Sequence, residues 1–331
     1  MSVAVALVLG ALLAATATPA VLNSSRMHRV APGVRLSMWL SSMLSVGIFA
    51  LASVVVAAWR QRVPSGGLVG AAWGCVAFVA HTVAPWADEL AAIAAAVVAA
   101  GCLARAAWII HGQLIAGGRL TARHSDVLRL VGTPDATVGA VWLEHPTPMA
   151  YSVQGRPGMV VATTGLRSTL SPREVAAVLA HERAHLAGRH HRIVALTAAL
   201  ARALPAVPLF ARAPAEVRTL VELCADRAAM RATDPTTVRS ALSKVVSASI
   251  PDSAGLAPPA GALGVAATAL QLRLAHLDRK VSPRGRGSLL AYATATVLTV
   301  ALPVLAGGAG VAAVMSLCAV LRPMRCTTED Y

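Results

Sequence analysis

Between Glu174 and Gly188 the chain reads Glu-Val-Ala-Ala-Val-Leu-Ala-His-Glu-Arg-Ala-His-Leu-Ala-Gly, so that His181-Glu182-Arg183-Ala184-His185 forms an HExxH pattern. Residues four apart share one face of an α-helix. Both imidazoles can therefore reach one zinc ion, with Glu182 beside them. Bound zinc lowers the pKa of a water molecule to about 7. A neighbouring carboxylate can then take the proton and pass it to the leaving amine of a peptide bond. The flanking residues favour a helix here: Ser171 suits the N-cap, Pro172 the first helical position, Glu174 closes a capping box, and Gly188 suits the end. A plainer reading, a solvated helix face rich in His, Glu and Arg, does not account for the cap or for the strand-like segment before it.

A catalytic zinc site takes three protein ligands and keeps one open position. Glu222, in Glu222-Leu223-Cys224-Ala225-Asp226, is the favoured third ligand. Pro214 can start a helix over 214–232 that puts Glu222 and Asp226 on one face, with Asp226 accepting a hydrogen bond from a ligand histidine. The same pair could instead be a solvated acidic face. The other candidate is His191, because 181–191 also fits HExxHxxGxxH, the metzincin pattern. That pattern further requires a methionine turn; Met230 reads as helical, and Met315 and Met324 lie in or near the last apolar stretch.

These residues sit in a segment, 111–286, with charges, prolines and turn residues throughout. It opens with a basic helical stretch, 119–131. Strand-like runs follow at 137–143, 149–153 and 158–163. A substrate can lie extended along a sheet edge by β-addition; Met159, Val160, Val161, Ala162 and Thr163 are assigned as that edge, an ordinary core strand being the alternative. His276 and Arg231 are candidate oxyanion stabilisers that nothing singles out. Residues 251–264, rich in Pro, Gly and Ala, read as a loop.

The rest of the chain is apolar. Of 331 residues, 56% are hydrophobic and only 13% charged, against about a quarter in soluble proteins; the mean hydropathy is +0.64. Spans of about 20 apolar residues can cross a bilayer, and 2–22, 37–59 and 89–110 qualify. The less regular 68–86 and the Pro- and Gly-interrupted 288–321 bring the count to between four and six crossings. The 2–22 span lacks the preceding Lys or Arg of a signal peptide, so it reads as an uncleaved helix. Arg26, Arg29 and Arg35 place its N-terminus outside, whereas Arg60 and Arg62 favour the opposite orientation. In both versions 89–110 delivers 111–286 to the cytoplasm, and Arg279, Lys280, Arg284 and Arg286 hold its far end there. The net charge of +14 is almost all arginine beside apolar spans, which indicates an anionic lipid surface rather than direct nucleic-acid binding. Five cysteines without a CxxC pair make neither a disulfide framework nor a cysteine zinc site.

Val161-Ala-Thr-Thr-Gly-Leu166, followed by Leu170-Ser-Pro-Arg-Glu-Val-Ala-Ala-Val-Leu-Ala-His-Glu-Arg-Ala-His185, is similar to the characteristic block of the BlaR/MecR-type antirepressor membrane metallopeptidases. Glu222 to Asp226 also fits the Glu-x-x-Ala-Asp helix of the related HtpX-type membrane proteases. The resemblance implies a mainly α membrane protein: a multi-span helical bundle with an inserted α+β, gluzincin-like zinc protease domain. Residues 1–110 and 287–331 would supply the membrane helices and 111–286 the cytoplasmic domain. His181, His185 and Glu222 would hold one Zn2+, with Glu182 the base and Asp226 behind the ligands. It also implies an integral protein of a bacterial plasma membrane that cuts a protein substrate, such as a cytoplasmic DNA-binding repressor, with HtpX-like clearance of damaged membrane proteins as the alternative and a non-enzymatic scaffold as a third reading. No penicillin-binding sensor follows the last apolar stretch, so direct β-lactam sensing is not expected. Self-association into a homo-oligomer stays open.

Overall fold

The run Met-Val-Val-Ala-Thr at 159–163 lacks the polar alternation of a half-exposed strand because both its faces are covered. In the computed structural model, which describes residues 3–24, 27, 30–59, 85–155, 157–249, 271–275 and 277, this run is β4 of a four-stranded sheet. The others are β1 (Thr133–Asp135), β2 (Ala140–Leu143) and β3 (Ala150–Val153), in the order β1-β2-β4-β3. β4 runs parallel to β2 and antiparallel to β3; β1 is antiparallel to β2. On one face Val160 and Ala162 join Ala140, Trp142, Leu166, Leu170, Val175 and Leu179 in a core. On the other, Val161 packs with Val153 and Leu128.

The helices are α1 (Val3–Leu22), α2 (Pro32–Trp59), α3 (Pro85–Val131), α4 (Thr164–Thr169), α5 (Pro172–Ala187), α6 (His190–Ala203), α7 (Pro208–Ala232) and α8 (Pro235–Ser249). The described residues fall into two compact units, 1–109 with 200–213, and 110–199 with 214–285. In the first unit α1 and α2 pack together, burying Ala11, Ala15 and Leu22 of one and Trp39, Ser42 and Ser45 of the other. Ser41, Ser42 and Ser45 donate to the carbonyls four residues back, so their hydroxyls are satisfied inside their own helix. Among the described residues two helices, Pro32–Val56 and Ile93–Val131, are long and apolar enough to cross a membrane. Leu44, Ile48, Leu51, Val97, Val98 and Trp108 face outward from them.

Several boundaries differ from the sequence reading. The 89–110 span and the basic stretch 119–131 are one continuous helix, α3, since no proline or cap interrupts residues 89–131. The strand read from 137 begins at Ala140. Asp135 accepts hydrogen bonds from the Thr137 and Val138 amides, and Gly139 takes φ +55°, so 136–139 is a turn. The short edge strand β1, which contains Pro134, went unread. The helix read from Pro214 starts at Pro208, the proline that occupies the first helical position, and Pro214 lies inside it. Nearly all of 68–86, and 251–264, 288–321, His276, Met315 and Met324, lie outside the described residues.

α5 is held firmly at its start. Ser171 accepts from the Glu174 amide while Glu174 accepts from the Ser171 amide, at 3.4 and 2.8 Å. Glu174 is 5% exposed and also accepts from Ser240 and from Lys244 of α8. The Lys244 ammonium, Ser240 and the Ser171 amide lower its carboxyl to about 2. A depressed carboxyl contributes stability that is complete above the unfolded value, about 4.3. That contribution is lost as pH falls from there to about 2. Glu174→Ala should lower stability at pH 7 by about 1–3 kcal/mol and flatten the acid limb between those two values, measured by thermal unfolding across pH.

Candidate metal centre

α5 presents His181 and His185 one turn apart, and α7 brings Glu222 and Asp226 to face them. The two Nε2 atoms are 3.1 Å apart. Glu222 lies against both, with Oε2 3.4 Å from His181 Nε2 and Oε1 3.6 Å from His185 Nε2. One donor atom from each of the three residues lies within 4.8 Å of the others, a group that could hold a metal ion. The three line a cleft of about 590 Å3 together with Glu182, Ser152, His190, His191 and Arg273.

Each histidine is held from behind. His181 Nδ1 is 3.0 Å from Asp226 Oδ1, and Asp226 is fully buried. Asp226 is in turn gripped by Arg273, whose Nε and Nη2 donate to Oδ2 and Oδ1 at 2.8 and 2.7 Å. The same guanidinium stands 3.6 Å from Glu222. His185 Nδ1 meets His190 Nδ1 at 3.0 Å. Arg183 donates to the Val138 carbonyl, tying the end of α5 to the turn before β2.

Charge follows this packing. Burial pulls the His181 imidazolium down, but its hydrogen bonds to Asp226 and Glu222 outweigh it and lift the group to about 9. His185 has no such carboxylate at its back; burial and its histidine neighbours lower it to about 4, against the pull of Glu222. Asp226 opposes burial through His181 and Arg273 and sits at about 2. Burial pushes the Glu182 carboxyl up, against the His181 charge and hydrogen bonds from Ser152.

The structure thus brings together His181, Glu182, His185, Glu222 and Asp226. It does not bring His191 into the group: His191 Nε2 bonds to Ser152 Oγ at 3.0 Å. Met230 sits in a helical core with Ala177 and Val238 and makes no turn beneath the histidines. Arg231 is exposed at the end of α7 and does not line the cleft. The strand assigned as a free edge, Met159 to Thr163, is interior, since β4 spends its backbone on β2 and β3 on either side. The strand beside the cleft is β3, whose Ala150, Tyr151 and Ser152 line it. Arg273 and His190 were missed. Arg273 carries no local signal, whereas His190 stands at i+5 from His185 and was legible only as part of a basic helix end.

Residues 116–215 match the family model of peptidase family M48. The match supports a metallopeptidase. It includes the two histidines and Glu182 but ends before Glu222, Asp226 and Arg273. No solved structure matches the chain.

Removing either partner of a buried ion pair leaves the other unpaired and costs about 3–5 kcal/mol. Asp226→Asn and Arg273→Gln should each destabilise the protein by that order, and the double variant by clearly less than the sum, in a double-mutant cycle followed by denaturant unfolding.

Proposed function

We propose that the chain is a zinc-dependent endopeptidase embedded in a bacterial plasma membrane, cutting a protein substrate at the cytoplasmic face. The convergence of two imidazoles and a carboxylate on one point, with a second carboxylate beside them in a cleft, carries this reading. The donor set fits zinc: two nitrogen ligands disfavour calcium or magnesium, which take oxygen, and His2Glu with one side open to a cleft suits a catalytic zinc ion. His181, His185 and Glu222 would hold the ion. When bound, zinc would supply Lewis acidity that brings a water molecule near neutrality and polarises the scissile carbonyl.

The chain's own residues account for the remainder. Glu182, its carboxyl raised by burial and standing beside the two histidines, is placed to take a proton and return it to the leaving amine. Asp226, locked by Arg273, keeps the His181 proton on Nδ1 and its Nε2 turned to the cleft. The substrate would lie along β3, pairing with the strand backbone at Ala150–Val153. The outward apolar faces of α2 and α3 support embedding in lipid.

Glu222→Ala should lose both zinc and hydrolysis, whereas His191→Ala should keep its zinc, with metal content read by atomic emission; the reverse pattern would move the third ligand to His191. Glu182→Ala should retain zinc while turnover drops about 10²–10⁴-fold, so the variant can trap its substrate. A single small DNA-binding protein recovered with it from the native membrane would support cleavage of a repressor. A mixture of unfolded membrane proteins would support quality control instead.

A further inference from the structure

The turn between α5 and α6 has an unusual division of labour. Gly188 caps α5 at φ −80°, ψ −4°, a conformation open to any residue. The left-handed residue is its neighbour Arg189, at φ +49°, where a side chain is strained and glycine would be the ordinary choice. Space explains why the glycine stands at 188: a Cβ there would lie 2.3 Å from His190 Nε2 and 2.6 Å from its Cδ2. The ring cannot swing away freely. It is buried, 6% exposed, stands edge-on to His185 with centroids 4.9 Å apart, and has its Nδ1 3.0 Å from His185 Nδ1. Glycine at 188 and a left-handed residue at 189 together fold His190 back against the rear of His185.

We propose that His190 is a positioning residue for the metal centre: as a neutral imidazole it accepts the Nδ1–H of His185 and so aims the His185 Nε2 lone pair at the site. This inference rests on the zinc reading above. Two nitrogens of the same kind can share one hydrogen bond only if one donates. For His185 to offer Nε2 its proton must be on Nδ1, so His190 is the acceptor and carries its own proton on Nε2. His190 is not itself a ligand, because its Nδ1 faces the back of His185 and not the point where His181, His185 and Glu222 meet. The two histidines are thus supported differently, His181 by a buried carboxylate and His185 by an imidazole. Partners of this type typically contribute about 10–100-fold to metal affinity.

The test uses the purified full-length protein, zinc affinity by competition with a chromophoric chelator, and the visible spectrum of the cobalt-substituted protein as a reporter of ligand geometry. His190→Leu fills the space without an acceptor. His190→Asn puts an amide oxygen where Nδ1 stood. His190→Leu should bind zinc about 10–100-fold more weakly and shift the cobalt spectrum, while its zinc-free thermal midpoint matches that of His190→Asn. His190→Asn should bind within about threefold of the parent. Gly188→Ala, which keeps the ring but displaces it, should resemble His190→Leu. Parent-like affinity in His190→Leu or Gly188→Ala would overturn the proposal, as would equal weakening in the Leu and Asn variants, since the ring would then serve packing alone. His185→Ala is the separate control: if it binds zinc as the parent does, the metal reading fails, whatever His190 does.

Discussion

A carboxylate with no exposure is the constraint on which the centre is built. Asp226 lies wholly inside the protein, and an isolated charge there would cost far more than a domain's whole margin of stability. It survives as a charge because Arg273 meets it with two hydrogen bonds and His181 with a third. Glu222 adds a second negative charge against one guanidinium, so the group holds a surplus of negative charge facing two histidines. That surplus lifts His181 to about 9. A proton on His181 answers the same field that a divalent cation would answer, and the two would compete for the place.

The rest of the unit keeps α5 and α7 at the separation this cluster requires. α5 cannot slide or rotate easily, because Glu174 closes its first turn and is pinned by Ser240 and Lys244. Its inner face is set by Val175 and Leu179 in the core above the sheet, and its far end by Arg183 on the Val138 carbonyl. α7 buries Val217, Leu220 and Val221 in the turns beside Glu222, so the acidic pair projects from a helix that packing has already oriented. The functional side chains stand on helices whose setting is fixed by contacts other than their own, which gives a site its precision.

Helical geometry made much of this legible beforehand. Spacing of four put His181 with His185 and Glu222 with Asp226 on common faces, and the cap of α5 was readable from Ser171, Pro172 and Glu174, because these are contacts within a turn or two. What escaped was decided at long range. The insertion of β4 between β2 and β3 depends on strand pairing that no local pattern records, so the apolar run 159–163 could be read as an edge when it is the most covered strand. Arg273 reaches Asp226 across 47 residues. His190 and His191 are adjacent in sequence yet point to different partners, His185 and Ser152, because successive residues of one helix project on different faces. The HExxHxxGxxH spacing was real, but the glycine serves ring packing and the final histidine belongs to the strand side of the cleft. Two of the apolar spans, 37–59 and 89–110, fall on helices long and apolar enough to cross a membrane, but the lack of any break between 89–110 and the basic stretch was not visible from composition.

The position of β3 restricts what the proposed enzyme could cut. Ala150–Val153 is four residues long, about 13 Å of strand at 3.3 Å per residue. A peptide pairing with it must offer an extended stretch of similar length whose own backbone groups are free. Folded helices and interior strands do not meet that condition, since their amides and carbonyls are already paired. Linkers, frayed termini and unfolded segments do. Selection by an edge strand is selection for local disorder first and for side chains second. On the proposed reading, a repressor cut in a linker and a misfolded membrane protein would therefore be the same kind of substrate to this cleft, and the difference between them would lie in what brings the segment to β3.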